Sequence, residues 1–196
     1  MVETNGRNFD LLTLGQVLLR LSPPDNERLS RGDTFVKQVG GAELNVAVGA
    51  ALLGLHTGVI SKLPAHDIGS FMKGKIRSFG VSDDFFMYDQ SPAARVGIYY
   101  YENGAYPRKP KVIYDRNHSS FFSLDIDEIP EEVYTASKCF HTTGITLALN
   151  EDIRETTIEM IKRFKAAGTL VSFDVNFRGN LWTGDQAREC ILRILP

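Results

Sequence analysis

The sequence predicts an α/β fold in which a mostly parallel sheet is flanked by helices and carries a small β lid. Three observations lead there. Short β-prone apolar runs alternate with helical stretches, the pattern of β-α-β units. One region breaks the alternation with two consecutive extended runs, as an inserted antiparallel piece would. The 196 residues, 43% of them apolar and 23% charged, match an ordinary water-soluble chain with one good core.

Each element has its own signal. Phe9 to Leu14 and Val17 to Leu21 are extended runs, with Gly15 as a bend between them and Pro23-Pro24 ending the second. Gly40-Gly41 stops a further short strand. From Ala42 to Leu55, Leu44, Val48, Ala51, Leu52 and Leu55 recur at helical spacing while Val46, Ala47, Ala50 and Leu53 fill the other faces, so this helix is expected to be buried all round. Val59-Ile60 marks the next strand. Asp67 is the expected N-cap of a helix with Ile68, Met72, Ile76 and Phe79 on its inner face and Gly80 at its end. The lid is expected from about 16–39 and 95–117. Its second part reads as strands Arg95 to Tyr101 and Lys111 to Arg116, joined by a loop that opens with an Asn103-Gly104 turn. Lys138 to Thr142, a helix capped by Asn150, and Thr169 to Asn176 complete a β-α-β unit. Glu151 and Asp152 in that helix's first turn, and Lys162, Arg163 and Lys165 in its last, suit the helix dipole.

Composition excludes several functions. Lys and Arg number 22 against 24 Asp and Glu, a net charge of -2, which leaves no basic excess for nucleic acid. The longest apolar stretch, Val46 to Leu55, is ten residues with two glycines, too short to cross a bilayer. The first five residues hold no apolar leader. Cys139 and Cys190 lack metal-ligand spacing and are expected as reduced thiols of a cytoplasmic protein. No metal ligand is assigned in the chain.

Three segments carry candidate chemistry. Gly40-Gly41-Ala42-Glu43-Leu44-Asn45 joins a strand to a helix; two glycines let a ligand approach the backbone, and free amides at a helix start favour hydroxyl oxygens or anions. A plain Gly-Gly turn with Asn45 buried against a loop carbonyl fits the same spacing. No Gly-x-Gly-x-x-Gly dinucleotide fingerprint is present. Tyr114 and Arg116, two residues apart in an extended run, point the same way. Arginine grips a planar carboxylate through two parallel hydrogen bonds, so the pair suits a small acidic ligand, with Tyr99 as a second aromatic wall. Cross-strand packing of surface tyrosines is the alternative. In 169–178, Val171, Phe173, Val175 and Phe177 face one way and Ser172, Asp174, Asn176 and Arg178 the other. The polar set ends at the strand's carboxyl end, where open α/β sheets bind ligands. Buried polar groups left unpaired cost about 1–3 kcal/mol each, so these need a ligand or one another, as in a salt-bridge cluster.

The ordered set Gly-Gly-Ala-Glu-x-Asn at 40–45, Ser61-Lys62-Leu63-Pro64 with Ile68-Gly69, Val96-Gly97-Ile98-Tyr99, Lys111 through Arg116, Phe140 through Ile145, and Asp174 through Arg178 with Leu181-Trp182 resembles the ribokinase-like (PfkB) carbohydrate kinases. Among them it is most similar to the 2-keto-3-deoxygluconate kinases. The resemblance implies that residues 1–196 are the N-terminal portion of one ribokinase-like domain. It further implies ATP-dependent phosphorylation of the terminal hydroxyl of 2-keto-3-deoxygluconate, with Mg accompanying ATP. By the same resemblance Gly40, Gly41 and Asn45 hold substrate hydroxyls. Tyr99, Tyr114 and Arg116 line the lid side, with Arg116 on the carboxylate or keto end. Asn176 and Arg178 reach the nucleotide's phosphoryl group, Arg178 stabilising charge during transfer.

Two departures stand out. The chain has Gly15-Gln16 where relatives usually have Gly-Glu, a neutral amide in place of a charge near the pocket floor. Neither the family's Asn-x-x-Glu nor its Gly-Ala-Gly-Asp, which supplies an anion hole and the general base, occurs. The expectation is therefore a ribokinase-like domain truncated on its C-terminal side, stopping inside an apolar helix at 191–196 and inactive alone. A non-catalytic sugar-acid-binding module is the reading from another class, and a ribokinase- or fructokinase-like kinase is the rival within the class. The partner expected is a small sugar acid, with a homodimer through the lid strands as a further candidate.

Overall fold

A computed structural model describes residues 6–195. Residues 1–5, where no apolar leader is read, and residue 196 lie outside it. In chain order the elements are β1 (Phe9–Leu14), β2 (Leu18–Ser22), β3 (Val36–Gly40), α1 (Ala42–Leu52), β4 (Thr57–Pro64), α2 (Asp67–Ser78), β5 (Val81–Ser82), β6 (Phe86–Asp89), β7 (Gly97–Glu102), β8 (Lys111–Asp115), α3 (Val133–Ala136), β9 (Ser137–Thr143), α4 (Gly144–Leu147), α5 (Glu151–Ala166), β10 (Leu170–Asp174) and α6 (Gly184–Leu192). Among the described residues no helix is long and apolar enough to cross a membrane.

The strands form two sheets. The main one runs β10-β9-β1-β4-β5, parallel throughout, with β6 also parallel to β4. The second runs β3-β2-β7-β8, with β2 parallel to β7 and both edge pairs antiparallel. Between β1 and β2 lie only Gly15, Gln16 and Val17, so this short link carries the chain directly from one sheet to the other.

Side-chain alternation in the main sheet builds a core on each face. Leu12, Leu14, Ile60 and Phe140 pack on one side with Ile158, Ile161 and Phe164 of α5, and the Phe140 and Phe164 rings stack at 4.1 Å. Val59 and Leu63 pack on the other with Leu44 and Ala47 of α1 and Met72 and Ile76 of α2. Helix α5 begins as expected, with Asn150 Oδ1 accepting from the Ile153 amide at 2.9 Å.

Several local expectations are corrected. Helix α1 is not buried all round: Leu52 and Leu53 are 77% and 84% exposed, and Val46 and Leu55 are also open. Its inner face alone meets β1 and β4, and no described element covers the outer one. The N-cap of α2 is His66, with no side-chain cap; Asp67 stands inside the first turn, where a carboxylate still suits the dipole. The reversal between β7 and β8 is not Asn103-Gly104. Ala105 and Arg108 exchange two backbone hydrogen bonds at 3.0 and 2.7 Å around Tyr106 and Pro107, and the Arg108 guanidinium donates to the Asn103 carbonyl at 3.2 Å. Strand β10 ends at Asp174. The Asp174 carboxylate accepts from the Asn176 amide at 3.0 Å and Asn176 takes φ 34°, so the alternation stops before Arg178. Helix α6 ends at Leu192, and Lys165 Nζ donates to the Ile194 carbonyl at 2.9 Å beyond it.

Candidate functional site

The second sheet stands over the carboxyl ends of β1 and β9 and the start of α1, enclosing a cavity of about 580 Å³. Its walls combine Gln16, Leu18 and Arg20 with Gly41, Glu43 and Asn45. Tyr99, Tyr101 and Tyr114 line it from the same sheet as Leu18 and Arg20, Arg116 lies beside Gln16, and Ile145, Arg178 and Asn180 complete the lining.

Gly41 caps α1 at φ 150°, a backbone that side-chain-bearing residues rarely adopt, and a Cβ there would meet the Gln16 carbonyl oxygen at 2.7 Å. This close crossing seats the first turn of α1 against the link between the sheets. Asn45, one turn on, is exposed at the cavity wall rather than buried against a carbonyl. Gly40 is buried at the end of β3 with the Tyr99 hydroxyl over it, and is not on the wall.

Tyr99 and Tyr114 are register partners on β7 and β8, their rings 6.0 Å apart, and both face the cavity. Cross-strand packing and pocket lining thus coincide. Burial pushes the Tyr99 phenol up. Arg116 follows β8 and is half-buried, its guanidinium carbon 5.7 Å from the Tyr114 ring centre. Its Nε donates to Gln16 Oε1 at 2.7 Å, while among the described residues its terminal amino groups have no partner. Burial pulls the guanidinium below its ordinary range and the nearby Glu43 opposes that.

Glu43 is almost fully buried. Its Oε1 accepts from Thr143 Oγ1 at 2.6 Å and Thr146 Oγ1 at 2.8 Å. Burial pushes its carboxyl up, against the pull of those two hydroxyls and of Arg116. The other cavity carboxylate, Asp115, pairs with Arg95 at 2.8 Å. Three guanidinium groups therefore face one buried carboxyl and one already paired, and the cavity is a place for negative charge.

Arg178 reaches the wall from the loop after β10, exposed. Asn176 does not line the cavity; its positive φ turns it away from the strand face. Neither Asp174 nor Arg178 forms an ion pair among the described residues, so the salt-bridge reading of that segment does not hold. Sequence reasoning missed Arg20, whose guanidinium carbon sits 4.4 Å over the Tyr101 ring. Its two-residue spacing from Leu18 was the available signal. It also left Glu43 without a role.

Residues 8–196 match the family model described as pfkB family carbohydrate kinase. The chain belongs to the pfkB carbohydrate kinase family. This pfkB chain is 37% identical over 187 residues to a 2-dehydro-3-deoxygalactonokinase of Haloferax volcanii, covering 95% of this chain and 58% of that one. A crystal structure of the 2-dehydro-3-deoxygluconokinase of Thermotoga maritima superposes with a TM-score of 0.88 at 35% identity, over 94% of this chain and 56% of the other. An uncharacterized sugar kinase from Pyrococcus horikoshii, solved in complex with ATP, superposes with a TM-score of 0.78 at 26% identity, over 94% and 58%. The pfkB chain spans about half the length of the curated relatives it matches. The α/β architecture with its mostly parallel sheet is thus that of the family.

Proposed function

We propose that the chain forms the sugar-binding part of an ATP-dependent kinase whose substrate is a 2-keto-3-deoxy sugar acid. The observation that carries this is the setting of Arg116. Its Nε is engaged by Gln16, and its unpartnered amino groups sit beside tyrosines in a cavity rich in guanidinium groups. A planar carboxylate is the ligand group that matches such a fork. Similarity to kinases named for 2-dehydro-3-deoxy sugar acids supports the same substrate class.

Each residue has a task in this reading. Arg116 holds the carboxylate, Tyr99 and Tyr114 close the lid side against the carbon chain, and Asn45 takes a sugar hydroxyl at the start of α1. Arg178, exposed and without an ion-pair partner among the described residues, fits a phosphoryl group at the far end of the cavity. When bound, ATP would supply the γ-phosphoryl group: the sugar hydroxyl, giving up its proton, would form the new P–O bond as the bond to the bridging oxygen breaks and ADP leaves. Arg178 holds negative charge at that end, and the second sheet keeps water from the sugar. Among the described residues no group of three or more His, Cys, Asp or Glu is placed to hold a metal ion, so no step is assigned to a metal held by these side chains.

Calorimetry and a coupled ADP-release assay on the chain test this, with 2-keto-3-deoxygluconate, fructose and ribose as ligands. Preferential binding of the acid supports the substrate class, and ADP release with it supports the kinase. Acid binding without ADP release is the result expected of the sugar-binding part alone, so ADP release is also read on a longer version that carries the family's Gly-Ala-Gly-Asp segment: acid binding without release there points to the sugar-acid-binding module, and preference for a neutral sugar refutes the proposal.

A further inference from the structure

Arg20 on β2 repeats the setting of Arg116 at a second place on the cavity wall. Its Nε donates to Ser22 Oγ at 2.9 Å and its guanidinium carbon lies 4.4 Å over the Tyr101 ring, so one edge and one face of the group are fixed. Among the described residues its terminal amino groups have no partner, and no carboxylate forms an ion pair with it. The carboxyl groups of the cavity are engaged elsewhere: Glu43 by Thr143 and Thr146, and Asp115 by Arg95. Stacking and the bond to Ser22 account for the ring face and the Nε edge. They leave the outer pair of donors on the wall with nothing inside the protein to receive them.

Strand register says which part of a ligand meets this second group. Arg20 pairs with Tyr99 of β7 on one side and with Gln38 of β3 on the other. The Arg116 backbone stands beside Gly97, two strands across and two residues along. At about 4.8 Å per strand and 3.3 Å per residue, the two roots are roughly 12 Å apart. Side chains stand nearly perpendicular to a sheet, so a carboxylate held by Arg116 leaves Arg20 to a part of the ligand several carbons away. Arg20 is also on the side of α1. Strand β3 runs into that helix through Gly40 and Gly41, and the Tyr99 hydroxyl reaches over Gly40, 2.5 Å from where a Cβ would stand. Asn45 lines the cavity from the same helix. Burial pushes the Tyr99 phenol up, and the Arg20 charge beside it pulls the other way.

We infer that Arg20 is a specificity residue whose free amino groups, with the Tyr99 hydroxyl, take hydroxyl oxygens of the sugar chain while Arg116 takes its carboxylate. The inference rests on the proposed sugar-acid reading and adds the group that tells a hydroxylated acid from a bare one. Arginine donates and cannot accept, so a hydroxyl that meets Arg20 accepts from it and keeps its own proton for Asn45 Oδ1 or the Tyr99 oxygen. Parallel donors suit oxygens on adjacent carbons, which a 2-keto-3-deoxy sugar acid carries at the end away from its carboxylate. A neutral sugar offers nothing to Arg116, and a keto acid without hydroxyls offers nothing to Arg20. Only a ligand with both groups at that separation engages both.

The test is equilibrium binding by calorimetry on the chain, using 2-keto-3-deoxygluconate and 2-ketohexanoate, the acid of the same carbon chain without hydroxyls. The weaker ligand is read by displacement of the tighter. In Arg20→Met the affinity ratio of the hydroxylated to the bare acid is expected to fall by about tenfold or more, the loss of a charge-assisted hydrogen bond. Removing the cation also weakens its general attraction for anions, but that acts on both acids by one factor and leaves the ratio alone. Arg20→Lys keeps the charge without the planar fork and should show a smaller fall. A purely structural role would weaken both acids alike, and an unchanged ratio in Arg20→Met overturns the inference. If the unaltered chain prefers the C1 carboxamide of 2-keto-3-deoxygluconate, or binds neither acid, the sugar-acid reading itself falls. If it prefers the acid and only the ratio stays fixed in the variant, the role of Arg20 alone falls.

Discussion

Removing the Arg116 side chain has two separable consequences, each with a size set by what surrounds it. In Arg116→Ala the ligand's carboxylate loses charge-assisted hydrogen bonds worth about 1.5–3 kcal/mol, which is roughly a 10- to 150-fold loss of affinity. The free chain is affected as well. Gln16 is 3% exposed and its Oε1 has Arg116 Nε as partner, so truncation leaves a buried acceptor unpaired. That costs about 1–3 kcal/mol and, at roughly 2–4 °C per kcal/mol for a chain of this size, lowers Tm by about 2–12 °C. Arg116→Lys should fall between, keeping the charge but losing the planar fork. Calorimetric titration with 2-keto-3-deoxygluconate and its carboxamide reads the first effect, and scanning calorimetry without ligand reads the second. The reasoning is refuted if acid and carboxamide weaken by the same factor, or if the variant binds the acid as the unaltered chain does.

Two other substitutions probe the frame of the cavity. Gly41→Ala puts a Cβ at φ 150° and 2.7 Å from the Gln16 carbonyl oxygen, so urea denaturation should show a loss of about 1–3 kcal/mol; an unchanged midpoint would contradict the close crossing. Glu43→Gln tests the buried carboxyl through pH. Burial holds its folded pKa above the ordinary value of 4.5, so the folded chain keeps this proton more tightly than the unfolded one. Its contribution to stability is fully present below that value and declines as pH rises through the folded pKa. Thermal melts across this range should show the unaltered chain losing stability relative to Glu43→Gln as pH rises, and parallel curves would contradict the assignment.

What could be read from the sequence was mostly what neighbouring residues decide among themselves. The alternation of apolar runs marked β1, β4, β9 and β10, and Asn150 announced α5, because a strand's period and a cap's hydrogen bond are local properties. Tyr114 and Arg116 were legible as a pair for the same reason. Leu52 and Leu53 were not: a helix's pattern shows which residues are apolar, but not whether anything packs on them. The reversal at Tyr106 and Pro107 is closed by the backbone pair of Ala105 and Arg108, two residues beyond the Asn103-Gly104 signal, a placement that the local turn signal does not announce. At Asn176 the backbone amide donates to the Asp174 carboxylate, and the strand ends two residues early. The contacts of Gln16 join residues 100 positions apart, and only the fold brings them together.

The most direct test is a crystal structure of the chain with 2-keto-3-deoxygluconate bound. The expected result is the carboxylate in the cavity, held by the terminal amino groups of Arg116 at about 2.7–2.9 Å, with Tyr99 and Tyr114 flanking the carbon chain. A carboxylate seated on Arg20 or Arg178 with Arg116 turned away, or a sugar bound outside this cavity, would contradict it.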